Sequence, residues 1–222
     1  MAADPQHVHM TVAEFFKLAE ESDFFKRYEY WHGYAVAMAG GRAKHSRVKM
    51  NLAMLFNQKF SSGPCNAYDA DMYVKLAEDV LILPDLSVSC DAADHDPDNL
   101  IIRSPYLVIE ALSDSTEGSD RKEKATAFRQ CESIQEYAFV NTRYQLVEVF
   151  RRIPAEHEDM EDMWISHFYY PDQDAVFESL GISISVSDIY RRTSIPRIED
   201  LPPSPRLRRV REESEEYAGA DS

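Results

Sequence analysis

No run of about 18 apolar residues occurs in this 222-residue chain, so no membrane-spanning helix is predicted. Its first ten residues, MAADPQHVHM, lack a basic segment followed by an apolar core. That argues against a secretory leader and makes the cytoplasm the expected compartment. Cysteine is scarce: Cys65, Cys90 and Cys131 are odd in number, far apart and in no C-x-x-C spacing. This pattern predicts buried or free thiols rather than disulfides or zinc ligands. Positive charge is also short, with 24 Lys and Arg against 39 Asp and Glu, a net charge of −15. Such a balance opposes long-range attraction to nucleic acid or to an anionic membrane. It is compatible with carboxylates gathered around a divalent cation, whose charge would locally reverse their repulsion.

What is present suits one soluble domain: 44% of the residues are hydrophobic, enough for a proper core. TVAEFFKLAEE begins with Thr11 and Glu14 in capping-box spacing and continues at helical period. YEYWHGYAVAM alternates around Gly33 and predicts two short strands joined by a turn. KHSRVKMNLAMLFNQKF returns to the helical period and is closed by SSGP. Strands are expected in NAYDADMYVKL, VLILPDLSVSC and YLVIEAL, then a helix in DRKEKATAFRQC. EYAFVNT and YQLVEVFRR follow as a hairpin, then WISHFYY and GISISVSDIY as further strands. Local hairpins together with one helical crossover predict a mixed sheet flanked by helices. From Arg191 the text changes. Four of the eleven prolines fall there, seven basic residues balance seven acidic ones, and residues 191–222 are expected to be a mostly disordered tail. The basic RLRRVR within it is either an arm for phosphates or a solvated charge run.

Two acids stand out. Glu110 sits in the apolar strand YLVIEAL, and Asp85 in VLILPDLSVS next to Pro84. Proline cannot donate to a sheet ladder, so it favours an edge, a strand start or a bulge, where a side chain can be re-aimed. A carboxylate taken out of water needs a cation, a metal or a changed pKa. If the two strands pair, the acids come close together, and such a pair with open water positions suits Mg²⁺ or Mn²⁺. Downstream, Lys124 follows Asp120 by four residues. An ammonium there either stabilises charge near a metal-bound water or forms an ordinary surface ion pair with Asp120.

Taken together, PDLSVSCD, YLVIEALSDST and DRKEKATAFRQCESIQEYAFVN, with the flanking elements from about Met10 to Tyr190, resemble the bacterial Uma-two family. That family is similar to the PD-(D/E)XK nucleases. The resemblance implies an α/β, restriction-endonuclease-like domain over residues 1–190, with a mixed central sheet flanked by helices. It implies metal-dependent hydrolysis of phosphodiester bonds, with DNA as substrate, Mg²⁺ or Mn²⁺ as cofactor and a homodimer as a plausible assembly. Asp85 matches the motif aspartate and Glu110 the motif acid, the two metal ligands. Leu112 stands where the motif lysine would be, and Lys124 occupies the migrated position. Glu29 matches an acid supplied from the N-terminal part. His45 and Asp71 match recurring family positions, and together with Asp120 are candidates for supporting roles around the site. A catalytically silent member that keeps the fold to bind nucleic acid or a protein is the rival reading.

Overall fold

A computed structural model describes residues 8–21, 27–38, 40–112, 119–155 and 162–201. The elements are α1 (Val12–Glu21), β1 (Tyr28–Trp31), β2 (Tyr34–Ala37), α2 (Ala43–Lys59), β3 (Asn66–Asp69), β4 (Tyr73–Ala77) and β5 (Val80–Ile82). They continue with β6 (Leu86–Ser89), β7 (Ile101–Ile102), β8 (Pro105–Leu112), α3 (Ser119–Gln130), β9 (Glu136–Asn141) and β10 (Val147–Ile153). The last are β11 (Met163–Tyr169), β12 (Asp174–Phe177), β13 (Ile182–Ser185) and the single-turn α4 (Val186–Ile189).

Local chemistry accounts for several of these. The capping box closes α1 as expected: Thr11 N and Oγ1 both donate to Glu14 Oε2 at 2.8 Å, and Glu14 N donates back to Thr11 Oγ1. The two-residue turn between β1 and β2 has positive φ at both His32 (48°) and Gly33 (92°), which matches the strand twist. Gly33 is needed twice over there, because a Cβ would lie 2.2 Å from the His9 ring.

Six strands form a mixed sheet in the order β11-β10-β9-β8-β6-β3, and five form a second in the order β2-β1-β5-β4-β7. β12 and β13 make a separate hairpin. The expected crossover is there: β8 and β9 run parallel, with α3 between them in the chain. Side chains of β8 alternate between two cores. Leu107, Ile109 and Ala111 pack with Val48, Leu52 and Phe56 of α2, while Val108 and Leu112 pack with Phe128 of α3 and with β4 and β5. Each fully buried side chain of this kind stabilises the fold by roughly 1.5–3 kcal/mol. Glu110 lies on the α3 face by the same parity.

Three expectations are corrected. NAYDADMYVKL and VLILPDLSVSC each form two strands, because the chain steps from one sheet to the other at residues 70–72 and again at Leu83–Asp85. Cys65 and Cys90 are joined in a disulfide that ties the chain just before β3 to the end of its neighbour β6, while Cys131 is the free, buried thiol expected. The segment after Tyr190 packs on the domain as far as Arg197, which pairs with Asp172. Ile195 is buried in the α2-side core, Asn51 Nδ2 donates to Arg191 O, and Gln145 N and Nε2 donate to Pro196 O and Ile195 O. Residues 202–222, including RLRRVR, lie outside the described residues.

Candidate active site

Asp85 stands at the step between the two sheets, directly after Pro84, where the ladder is interrupted and a side chain can turn away from strand alternation. β6 pairs with β8 through Leu86 and Ile109, so one residue further along that register Asp85 faces Glu110. From the other sheet β1 brings Glu29, and α3 brings Lys124. All four residues are buried, none more than 8% exposed.

The contacts form two neighbouring sets, one around Glu110 and Glu29 and one around Asp85. Lys124 Nζ donates to Glu110 Oε1 at 2.8 Å and to Glu29 Oε1 at 3.1 Å. Glu29 is engaged at both oxygens, since Leu83 N also donates to Oε1 (3.2 Å) and the Trp31 indole N–H to Oε2 (3.1 Å). Asp85 accepts from Ala111 N at 2.8 Å through Oδ2 and meets Lys49 Nζ at 2.9 Å through Oδ1. His45 Nε2 lies 3.3 Å from Asp85 Oδ2 and donates to Ala111 O at 2.9 Å.

The two acids respond differently to this setting. Burial pushes the Glu110 carboxyl up to about 8; Lys124 opposes that rise, and the carboxylates of Asp85 and Glu29 add to it. Burial also works against ionisation of Asp85, yet the His45 hydrogen bond and the Lys49 charge hold its carboxyl below the usual range. Glu110 is thus the undercompensated acid. Its Oε1 meets Lys124, while its Oε2 accepts no hydrogen bond among the described residues.

Such a donor set fits a hard divalent cation in one particular way. Among the described residues no three His, Cys, Asp or Glu side chains converge as a ready-made cage. Asp85 and Glu110 are two carboxylates at facing positions of adjacent strands, oxygen donors of the kind Mg²⁺ accepts while keeping much of its hydration. Both oxygens of Glu29 are used by protein donors, three of them in all, and both oxygens of Asp85 are used too, so a cation at the pair has to displace Lys49 from Asp85 Oδ1.

The structure therefore brings together Asp85, Glu110, Lys124, Glu29 and His45 from the sequence reading. It leaves Asp71 apart, in the exposed turn between β3 and β4, where its carboxylate lies 3.4 Å from Arg27 and its N–H donates to Asp69 Oδ1. The side chain of Asp120 lies outside the described residues. Lys122, two residues before Lys124 on α3, is exposed as the helical period requires. Lys49 was missed. Its signal is the spacing His45 to Lys49, i to i+4, which puts both on the face of α2 that meets Asp85. Gly41 supports His45 from below: a Cβ there would come within 2.6 Å of the imidazole Nδ1.

No helix among the described residues is long and apolar enough to cross a membrane. A crystal structure of a putative nuclease belonging to DUF820 from Anabaena variabilis superposes with a TM-score of 0.61, covering 82% of this chain and 97% of that one at 19% identity, which establishes the shared fold. An uncharacterized protein of Synechocystis is 29% identical over 167 residues, 75% of this chain and 84% of the relative. A second from the same organism is 25% identical over 146 residues, 65% of this chain and 81% of the relative. The model of the Uma2 family, described as putative restriction endonuclease, matches residues 12–182, and the chain belongs to that nuclease-like family.

Proposed function

We propose that this chain is a metal-dependent endonuclease that hydrolyses phosphodiester bonds of DNA, with Asp85 and Glu110 holding Mg²⁺ or Mn²⁺. The observation that carries this reading is the placing of two buried acids at facing positions of adjacent strands, Glu110 bonded to the buried Lys124 and Asp85 to the half-buried Lys49. When bound, the cation would supply Lewis-acid polarisation of the phosphate and a water of lowered pKa. Lys124, fixed between Glu110 and Glu29, is placed to orient the attacking water or to stabilise charge developing on the phosphate. Glu29 positions that lysine rather than holding the cation. His45 and Lys49 hold Asp85 ionised, and Lys49 competes with the cation for Asp85 Oδ1. A homodimer and a cytoplasmic site of action belong to the same proposal.

A second reading has its own support. The lysines already neutralise the acids without a metal, which is what a binding module that retains the fold would show. The deciding experiment is Mg²⁺-dependent cleavage of single-stranded, duplex and branched DNA. Lys124→Met is expected to lower the rate by about two orders of magnitude or more, the usual cost of losing one electrostatic stabiliser. Lys17→Met, on the exposed side of α1, is the control and should leave the rate unchanged. Calorimetry supplies the second arm: Glu110→Gln should weaken Mg²⁺ binding, and Lys124→Met should leave it equal or tighter because a nearby positive charge is gone. Full activity in Lys124→Met overturns the role of the lysine. Equal Mg²⁺ binding by wild type and Glu110→Gln overturns the metal site, and absence of cleavage on every substrate turns the reading to the binding module.

A further inference from the structure

We propose that the groove between the β1–β2 turn, the β4–β5 turn and α3 is a subsite for one unstacked nucleobase of single-stranded nucleic acid, stacked on Trp31 beside the Glu29–Glu110–Lys124 cluster. The inference rests on the nuclease reading and extends it to the class of substrate.

The groove has a volume of about 430 Å³, within the range of small-ligand sites. Its wall is mainly apolar, built from Trp31, Leu76 and Val80, while Lys122, Glu123 and Gln130 of α3 supply polar groups. Trp31 is held in place from two sides. Its ring packs against the core cluster that contains Val80 and Phe128, and its indole N–H donates to Glu29 Oε2. An aromatic face fixed in this way loses little freedom when a flat ligand covers it.

Continuity with the cluster decides what that ligand is. Glu29 and Trp31 are two residues apart on β1, roughly 7 Å along the strand, a span of the order of one extended nucleotide. The oxygens of Glu29 join the two places, one to the Trp31 indole and the other to Lys124. On α3, Lys124 turns into the carboxylates while Lys122 lines the groove, so a strand whose scissile phosphate sits at the cluster meets a second cation beside the adjoining base. Gln130 and Glu123 can pair with a base edge, Glu123 with an exocyclic amino group. The groove couples one aromatic face with one exposed lysine, the pairing that single-strand binders use. Duplex DNA keeps its bases stacked and has none to place there.

The test uses the full chain carrying Trp164→Phe, which leaves Trp31 as the sole indole. Fluorescence is titrated in Ca²⁺ with a short single-stranded deoxyoligonucleotide, and with a series of the same strand carrying one abasic position at each step. Saturable quenching of Trp31 is expected. For variants at Trp31, which lose the indole, binding is read by the anisotropy of a dye-labelled oligonucleotide: Trp31→Ala should weaken it about tenfold or more, while Trp31→Phe should keep most of the affinity. One abasic position should cost a similar factor, and that cost should vanish in Trp31→Ala. Lys122→Ala should reduce the slope of log affinity against log salt by about 0.7, one phosphate contact on a single strand. Unchanged affinity in Trp31→Ala with the folded state intact, the same abasic cost in both proteins, or no binding by the parent overturns the subsite. Quenching by an apolar peptide but not by the oligonucleotide does so too. The nuclease reading is judged separately, by Lys124-dependent cleavage: it can stand with the groove overturned, and Trp31-dependent binding without cleavage would keep the groove in a silent binding module.

Discussion

Two groups of buried acids lie in the same molecule and are compensated in opposite ways. In one, Glu136 at the start of β9 is fully buried and accepts from Arg151 Nε (2.9 Å), Glu178 N (3.1 Å), Ser179 N (3.2 Å) and Ser179 Oγ (2.6 Å). Nearby, Glu148 on β10 accepts a fork of two hydrogen bonds from Arg121, whose guanidinium also covers the Phe139 ring. In the other group the cations are lysines, and Glu110 has an oxygen without a hydrogen-bond partner among the described residues. Arginine carries a planar fork that cannot be deprotonated and suits a permanent joint, whereas lysine is a point charge whose protonation responds to its surroundings. The first group joins β9 and β10 to their surroundings. The second group is held together less completely, which is the condition for exchanging a lysine contact for an incoming cation or phosphate.

The largest expected effect tests this contrast with one substitution at two places. Glu136→Gln replaces an acceptor of four hydrogen bonds by an amide with half the accepting capacity and leaves the exposed Glu178 as the one carboxylate paired with Arg151 among the described residues. A loss of about 3–5 kcal/mol in unfolding free energy is expected, as for other broken buried pairs. Glu110→Gln removes an acid that burial already disfavours, so at pH 8 stability should be unchanged or higher. Urea denaturation of both variants measures the difference. Equal losses would mean that the two groups are of one kind.

A smaller effect is expected from Arg121→Lys. The substitution keeps the charge next to Glu148 but removes one of the two parallel hydrogen bonds and the flat contact with Phe139. The expected cost is on the order of 1–2 kcal/mol, read from the denaturation midpoint at constant slope. No loss would show that the fork is not what holds this acid.

Much of the framework was visible in the residues alone, wherever a local pattern decides the outcome. The Thr11–Glu14 box, the β9–β10 hairpin and the β8–α3–β9 crossover depend on neighbours within a few positions or on one unbroken period. Asp85 and Glu110 stand out because an acid in an apolar strand is costly, Lys124 has an open choice between a site role and a surface pair, and the family resemblance favours the site role and adds Glu29 and His45. The parts that escaped notice depend on distant segments. Lys49 looks like any helix-surface lysine until Asp85 is turned toward it at the Pro84 interruption. The Cys65–Cys90 bond joins segments 25 positions apart that spacing alone could not pair. Ile195 lies in a segment whose prolines and balanced charge suggest disorder, yet it is buried in the core cluster with residues of α2 and α4. Asp71 was aligned with a strand, but the strand ends at Asp69 and the chain is by then crossing to the other sheet.

The finest distinction is a slope in the pH dependence of stability, and its sign separates the two acids of the site. Glu110 has its carboxyl raised from the ordinary 4.5 to about 8 in the folded protein. Between those values the folded state holds a proton that the unfolded chain releases, so stability is highest near and below pH 4.5 as far as this group is concerned. It declines as pH rises toward 8, by at most about 1.4 kcal/mol per pH unit for one proton. Asp85 is lowered, so its contribution is present at neutral pH and is lost only as pH falls below the ordinary aspartate range. Unfolding free energies from urea titrations between pH 5 and 8 should therefore fall with pH in the wild type, and the slope should flatten in Glu110→Gln. Saturating Mg²⁺ should flatten it as well, because a cation at the pair favours the ionised form of Glu110. An identical slope in wild type and Glu110→Gln would show that the Lys124 contact fully compensates Glu110. The two groups of acids would then differ in geometry alone.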